Sequence, residues 1–115
     1  MEGNVKYSVI VTGAHGFLGR YVAKTYGQAG FYVIGLGHGS WSASEAREWG
    51  VDEWHRADVD MDSLQRYASD VSIIIHCAGS GSVGFSLSNP MKDFERTVWT
   101  THYVLEYIRT YSPKT

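Results

Sequence analysis

Short apolar runs alternate along this chain with stretches whose apolar positions fall three and four residues apart. A β-branched run closed by glycine reads as a buried parallel strand, and the three-and-four spacing reads as a helix laid over it. Tyr7-Ser8-Val9-Ile10-Val11 is the first such run. Phe17, Leu18, Tyr21, Val22 and Tyr26 then predict a helix over residues 17–29, with Gly30 placed to end it. Residues 31–36 predict a second strand, and Gly37-His38-Gly39-Ser40 must be loop. Ser42 or Ser44 is placed to cap a short helix through Trp49, Gly50 ends it, and residues 51–56 predict a third strand. Asp62 is the expected cap of a helix over residues 63–68, and Val71-Ser72-Ile73-Ile74-Ile75-His76-Cys77 is the longest apolar strand signal in the chain. A glycine- and serine-rich loop covers residues 79–84. Asn89 and Pro90 then suit the cap and first position of a long helix to about Tyr111.

Four strands alternating with four helices predict an α/β fold, with a parallel sheet covered by helices on both faces. The expected strand order is 3-2-1-4, the Rossmann-type arrangement, in one domain spanning residues 1–115. In that order the loops after strands one and four meet where ligands bind, at the carboxyl ends of the strands. Both of those loops are rich in glycine here.

That placement gives the segment Val11-Thr12-Gly13-Ala14-His15-Gly16-Phe17-Leu18-Gly19 a chemical meaning. Amides at a helix amino end and the helix dipole favour an anion such as a pyrophosphate. Gly13 permits the tight turn, Gly16 the close approach of phosphate, and Gly19 the packing of helix on strand. His15 is either a solvated loop residue or a phosphate contact. Phe17 and Leu18 are expected to bury their side chains in the core and lend their amides to the ligand. Asp58 and Val59, after the third strand, are candidates for the adenine edge and ring. His76 and Cys77 sit at a strand end without a carboxylate or second thiol nearby in the sequence, so neither reads as a nucleophile.

A dinucleotide site ordinarily carries an acid at the end of the second strand for the adenosine ribose. Leu36-Gly37-His38 stands there instead, which removes the argument for NAD and the repulsion against a 2′-phosphate together. His38, Ser40, Ser42 and Arg47 are the candidate contacts for such a phosphate, and NAD and NADP both stay open.

Composition narrows the partners. A formal charge of -2 argues against a nucleic-acid backbone. No apolar run approaches the roughly 20 residues a membrane helix needs, and the amino terminus lacks the apolar stretch of a secretory signal, so a cytoplasmic location is expected. Cys77 is the single cysteine and the five histidines lack ligand spacing, so no metal site is expected.

Together the glycine turn, Ala57-Asp58-Val59, and the segment from His76-Cys77-Ala78-Gly79 to Phe85-Ser86 resemble the extended short-chain dehydrogenase/reductases, in their NAD-dependent epimerase/dehydratase branch. The resemblance runs from Tyr7 to about Arg109. It implies that Gly13, Gly16, Phe17, Leu18 and Gly19 frame the pyrophosphate of NAD or NADP, and that Asp58 and Val59 hold adenine. Cys77, Ala78 and Gly79 would line the nicotinamide-side ribose, and Thr97 falls where the family has an asparagine beside the cofactor. The acid expected at Gly37 and a lysine near Gly81 are missing. The resemblance further implies hydride transfer at a carbon of a nucleotide-sugar, with a tyrosine as acid/base and a lysine lowering its pKa. No Tyr-x-x-x-Lys occurs in these residues, so the expectation is a dinucleotide-binding part that is inactive alone, the substrate lobe lying elsewhere in a longer parent. The rival is a non-enzymatic sensor or interaction module that keeps the fold.

Two stripes mark the last helix: Phe94, Val98, Thr101, Leu105 and Ile108 are expected to cover the sheet, while Trp99, Tyr103, Tyr107 and Tyr111 form a second. That second stripe, and a fourth strand apolar on both faces at a sheet edge, point to a homodimer.

Overall fold

The computed structural model describes residues 7–79, 87–111 and 114–115. Four strands, β1 (Ser8–Thr12), β2 (Tyr32–Gly37), β3 (Glu53–Arg56) and β4 (Ile73–His76), form one parallel sheet in the order β3-β2-β1-β4. The helices are α1 (Phe17–Gln28), α2 (Ala43–Glu48), α3 (Met61–Tyr67), α4 (Pro90–Phe94) and α5 (Thr100–Tyr111), with a π-helical turn at Glu95–Trp99 between the last two. The expected fold class and strand order are those observed. The amino-terminal residues 1–6 and most of the glycine-rich loop, residues 80–86, lie outside the described residues.

The alternation of side chains along β1 builds two cores. Ile10 points to one face, where it meets Leu36, Leu64 of α3 and Val104 and Tyr107 of α5. Val9 and Val11 point to the other, against Ala23 of α1, Ala46 of α2 and Val33. Val9, Ile10 and Val11 are completely buried, as a strand covered on both faces must be. β4 pairs with β1 alone among the described residues, and its four residues are half-buried, at the edge that the 3-2-1-4 order anticipates. On the far side, the Tyr32 hydroxyl donates to Glu53, which ties β2 to β3 and pushes the tyrosine up to about 12.

Three expectations are corrected. Asp60, not Asp62, caps α3: its carboxylate accepts from the Ser63 amide at 2.9 Å while the Ser63 hydroxyl accepts from the Asp60 amide at 3.1 Å. That reciprocal capping box needs an acceptor three residues away, and Asp60 has it. Asp62 sits in the first turn and pairs with Arg66 instead. Second, Asn89 precedes Pro90 at the helix start but makes no side-chain cap bond.

Third, the long last helix is interrupted, and the face it lays on the sheet draws on both expected stripes, Tyr103 and Tyr107 from the second and Ile108 from the first. Val104 and Tyr107 are buried with Tyr103 and Ile108 against them, while Phe94, Val98 and Leu105 are exposed. The π turn inserts an extra residue, which rotates the downstream helix by about 100° relative to a continuous α-helix. One row of apolar residues drawn through 94–108 therefore does not stay on one face.

Candidate functional site

The register brings Thr12, Leu36 and His76 level at the carboxyl end of the sheet, and Arg56 beside Gly37. From that rim the chain turns at Gly13, with φ of 70°. A Cβ there would stand 2.7 Å from the Ala78 nitrogen, so the turn lies directly against the loop leaving β4. The Gly13 amide donates to Leu36 O at 2.7 Å and its carbonyl accepts from Gly16 N at 3.0 Å. Gly16 then begins α1, whose first in-helix bond runs from Arg20 N to Gly16 O. The amides of Phe17, Leu18 and Gly19 thus have no helical carbonyl behind them. A Cβ on Gly19 would fall 2.0 Å from Gly13 O, so no larger residue allows this helix to sit on this turn.

The sheet-facing row of α1 is Gly19 and Ala23, both buried. Phe17 and Leu18 face away and are 82% and 63% exposed, which corrects the expectation that they enter the core. At the first turn of a helix seated this closely on a strand, the inward positions admit only small residues. Phe17 rests instead on Tyr21, with ring centres 5.6 Å apart.

A cleft of about 810 Å³ opens in front of the turn. Gly13 and Gly16 form its floor, Gly37, His38, Asp58 and Val59 one end, and Cys77, Ala78 and Gly79 the other. Asp58 is exposed and its Oδ1 lies 2.9 Å from His38 Nε2, whereas Val59 is almost wholly buried. Thr97 stands next to Gly79, its Oγ1 3.5 Å from where a Cβ on that glycine would be. The remaining wall is helical, with Lys92, Glu95, Arg96, Trp99 and Tyr103, none of which the sequence marked as a site residue.

His15 turns from the cleft and packs its ring against Trp41 and Trp54, at 4.7 and 6.0 Å. Its carbonyl accepts from Arg20 Nη2 at 2.6 Å. Ser42 is occupied as the cap of α2, accepting from Glu45 N at 3.1 Å. Arg47 borders a separate depression with Lys24 and Asp52.

Thr12 was overlooked, although a threonine between strand and glycine is itself the signal. Its Oγ1 accepts from the amides of Cys77 at 3.1 Å and Ala78 at 3.2 Å, which uses both lone pairs. Its own proton must then go to His76 Nδ1, 2.7 Å away. That assigns the imidazole proton to Nε2, which donates toward the hydroxyls of Thr101 and Thr100 at 3.2 and 3.3 Å. Those hydroxyls donate onward to the carbonyls of Thr97 and Arg96. Burial holds His76 below the ordinary histidine range, and it pushes the Cys77 thiol up. Both shifts disfavour the charged forms, the imidazolium and the thiolate. Among the described residues no three histidine, cysteine or acidic side chains gather as a metal site, and no helix is long and apolar enough to cross a membrane.

A 3-2-1-4 parallel sheet with a glycine turn leading into its first helix at the carboxyl rim defines a Rossmann-type fold. Residues 9–115 match the family model described as NAD dependent epimerase/dehydratase, and the chain belongs to that family. Among solved structures, the UDP-glucose 4-epimerase of Thermotoga maritima, solved with UDP-glucose, superposes with a TM-score of 0.78 at 22% identity, covering 90% of this chain and 34% of that one. The Brucella ovis UDP-glucose 4-epimerase in complex with NAD gives 0.75 at 25% identity, over 95% of this chain and 34% of that one. The Bifidobacterium longum enzyme in complex with NAD+ and UDP gives 0.71 at 23%, over 90% and 34%. The chain spans about a third of the length of these structures. No curated protein matches it significantly.

Proposed function

We propose that this chain is the dinucleotide-binding part of a nucleotide-sugar epimerase, dehydratase or reductase. The observation that carries the reading is the Gly13 to Gly19 turn, which stands at a positive φ against Ala78 and presents the first-turn amides of α1 to the cleft. A Cβ at Gly13 or Gly19 would collide with backbone, so the cradle is closely packed yet keeps its anion-binding amides free, which fits a pyrophosphate. In this reading the amides of Phe17, Leu18 and Gly19 hold the pyrophosphate, with Gly16 leaving room for it. Asp58 takes the adenine edge beside the wall that Val59 supports, and Cys77, Ala78 and Gly79 border the nicotinamide-side ribose near Thr97. His15 contributes through its backbone. The nicotinamide, when bound, supplies hydride exchange with a sugar carbon. The residues here position it, and without a Tyr-x-x-x-Lys pair they provide no acid/base, so the 115 residues alone are proposed to bind without turning over. Calorimetric titration with NAD, NADH and NADP tests this: saturable binding of at least one is expected, and no binding of any at millimolar concentration overturns it.

The same reading extends to assembly as a homodimer. Because Tyr103 and Tyr107 are committed to the sheet, the apolar side chains available to a second copy are the exposed Met91, Phe94, Val98 and Leu105.

A further inference from the structure

Beneath the glycine turn, the rim of the sheet holds a hydrogen-bond junction centred on one hydroxyl. Thr12 is completely buried, and its oxygen takes the amides of Cys77 and Ala78 at 3.1 and 3.2 Å. With both lone pairs used, the hydroxyl donates to His76 Nδ1 at 2.7 Å. The two amides are not equally secured. Cys77 N also reaches the Thr12 carbonyl at 3.0 Å, whereas no second acceptor takes Ala78 N among the described residues. Ala78 is also the residue against which the turn is built, its nitrogen 2.7 Å from where a Cβ on Gly13 would stand, and with Cys77 and Gly79 it lines the cleft. The placement of that wall is therefore tied to the state of one imidazole nitrogen.

Protonation changes the count of donors. An imidazolium carries hydrogens on both nitrogens, so Nδ1 turns from acceptor to donor. The Thr12 oxygen would then face three donors with two lone pairs, and its own hydrogen would lose its acceptor in a buried site. Cys77 can fall back on the Thr12 carbonyl and Ala78 cannot. On the far side of the ring, Nε2 donates toward Thr101 and Thr100 in either charge state, so nothing there offsets the loss. The titratable groups on the elements around His76 are Cys77 next to it, Glu95 and Arg96 of the π turn, and Tyr103 and Tyr107 on the sheet side of α5, while β1 carries none. No charge among them shifts His76; burial alone holds it below the ordinary histidine range.

We propose, resting on the dinucleotide reading, that Thr12 and His76 are positioning residues for the bound ligand, holding the wall at Cys77 and Ala78 against the glycine turn only while His76 is neutral. Neither touches the ligand; both act through the backbone of that wall. A ligand seated on the wall binds the neutral form better, so affinity falls as pH drops through the His76 pKa of the free chain. By linkage, binding pushes that pKa further down and expels a proton from the fraction of chains that carry one.

The test is calorimetric titration of the 115-residue chain with NAD from about pH 8 to about pH 5, with circular dichroism at each pH to confirm folding. Affinity is expected to fall about threefold to tenfold over that range, in proportion to the neutral fraction of His76. His76→Asn, whose carboxamide oxygen can take the place of Nδ1 and does not titrate, should bind like wild type at the alkaline end and show no slope. Thr12→Val, of similar shape without the hydroxyl, should weaken alkaline binding about tenfold, and Thr12→Ser should restore it. The His76 imidazole, followed by NMR, should titrate at lower pH with NAD bound than without. His38 also lines the cleft, beside Asp58, so His38→Asn is the control. An affinity flat with pH, a slope that His76→Asn keeps or that His38→Asn removes, or a folded Thr12→Val that binds like wild type overturns the proposal and leaves the dinucleotide reading standing. If Thr12→Val does not fold, the pH series on wild type and His76→Asn decides. Failure of NAD to bind at any pH overturns both.

Discussion

Gly13 and Gly30 both take positive φ, at 70° and 92°, but their surroundings differ. A Cβ on Gly13 meets the backbone of Ala78, and one on Gly30 meets nothing within 4 Å. Gly30→Ala is therefore expected to cost about 1 kcal/mol, the backbone strain alone. Gly13→Ala should cost about 3 kcal/mol or more, because the loop after β4 must also move. Urea unfolding of the two variants checks this, and equal losses would remove the argument that the turn is built against β4. His76 supplies a second residue-scale expectation. Burial lowers its folded pKa, so as pH falls below about 6.5 the unfolded chain takes up a proton first and stability declines toward the folded pKa. Above that window the group contributes no pH dependence. The stability difference between wild type and His76→Asn, followed by urea melts between about pH 8 and about pH 5, should narrow as the pH drops. At this scale the glycines were legible in the sequence because glycine spacing is a backbone constraint written directly in residue type. The role of Thr12 was not, since it lies 64 residues from its histidine partner.

Local chemistry decides where each element begins, and it is testable there. Ser42 and Glu45 satisfy each other's backbone amides at the start of α2, and the capping bonds hold the Glu45 carboxyl below its ordinary range. Ser42→Ala is expected to destabilise by about 1 kcal/mol. Asn89→Ala, at a cap position without a cap bond, should leave the melting midpoint within error. Ser42 was among the expected caps, since a capping box is a three-residue pattern. The break at Glu95–Trp99 was not visible, as nothing in residue type marks a π turn. Hydroxyls of Thr100 and Thr101 bond back to the carbonyls of Arg96 and Thr97 at 2.6 and 2.7 Å, competing with the helix's own amides, and that competition favours a local distortion. Helical periodicity offered two apolar faces of similar strength. The sheet took Tyr103, Val104, Tyr107 and Ile108, a face that neither stripe matches whole.

Across the whole molecule, Met91, Phe94, Val98 and Leu105 of the last helical segment remain exposed. Light scattering at tens of micromolar is expected to return twice the chain's 12.8 kDa, and Leu105→Glu to return it to one. A monomer at that concentration removes the dimer from the proposed function. The architecture itself was readable from the chain in order: four apolar runs, three helical patterns between them and a fourth after the last, with a glycine turn after the first run, lead to a 3-2-1-4 sheet, because burial on both faces and right-handed crossovers leave few other solutions. Sequence thus specified elements, their sequence of pairing and the place of the glycine turn, all of which follow from residue type over a few neighbours. Folding alone determined which face of the last helix is buried, that Phe17 and Leu18 point outward, and that Arg56 stands beside Gly37. Those facts depend on contacts between residues far apart in the chain, and periodicity carries no record of which face will meet which partner.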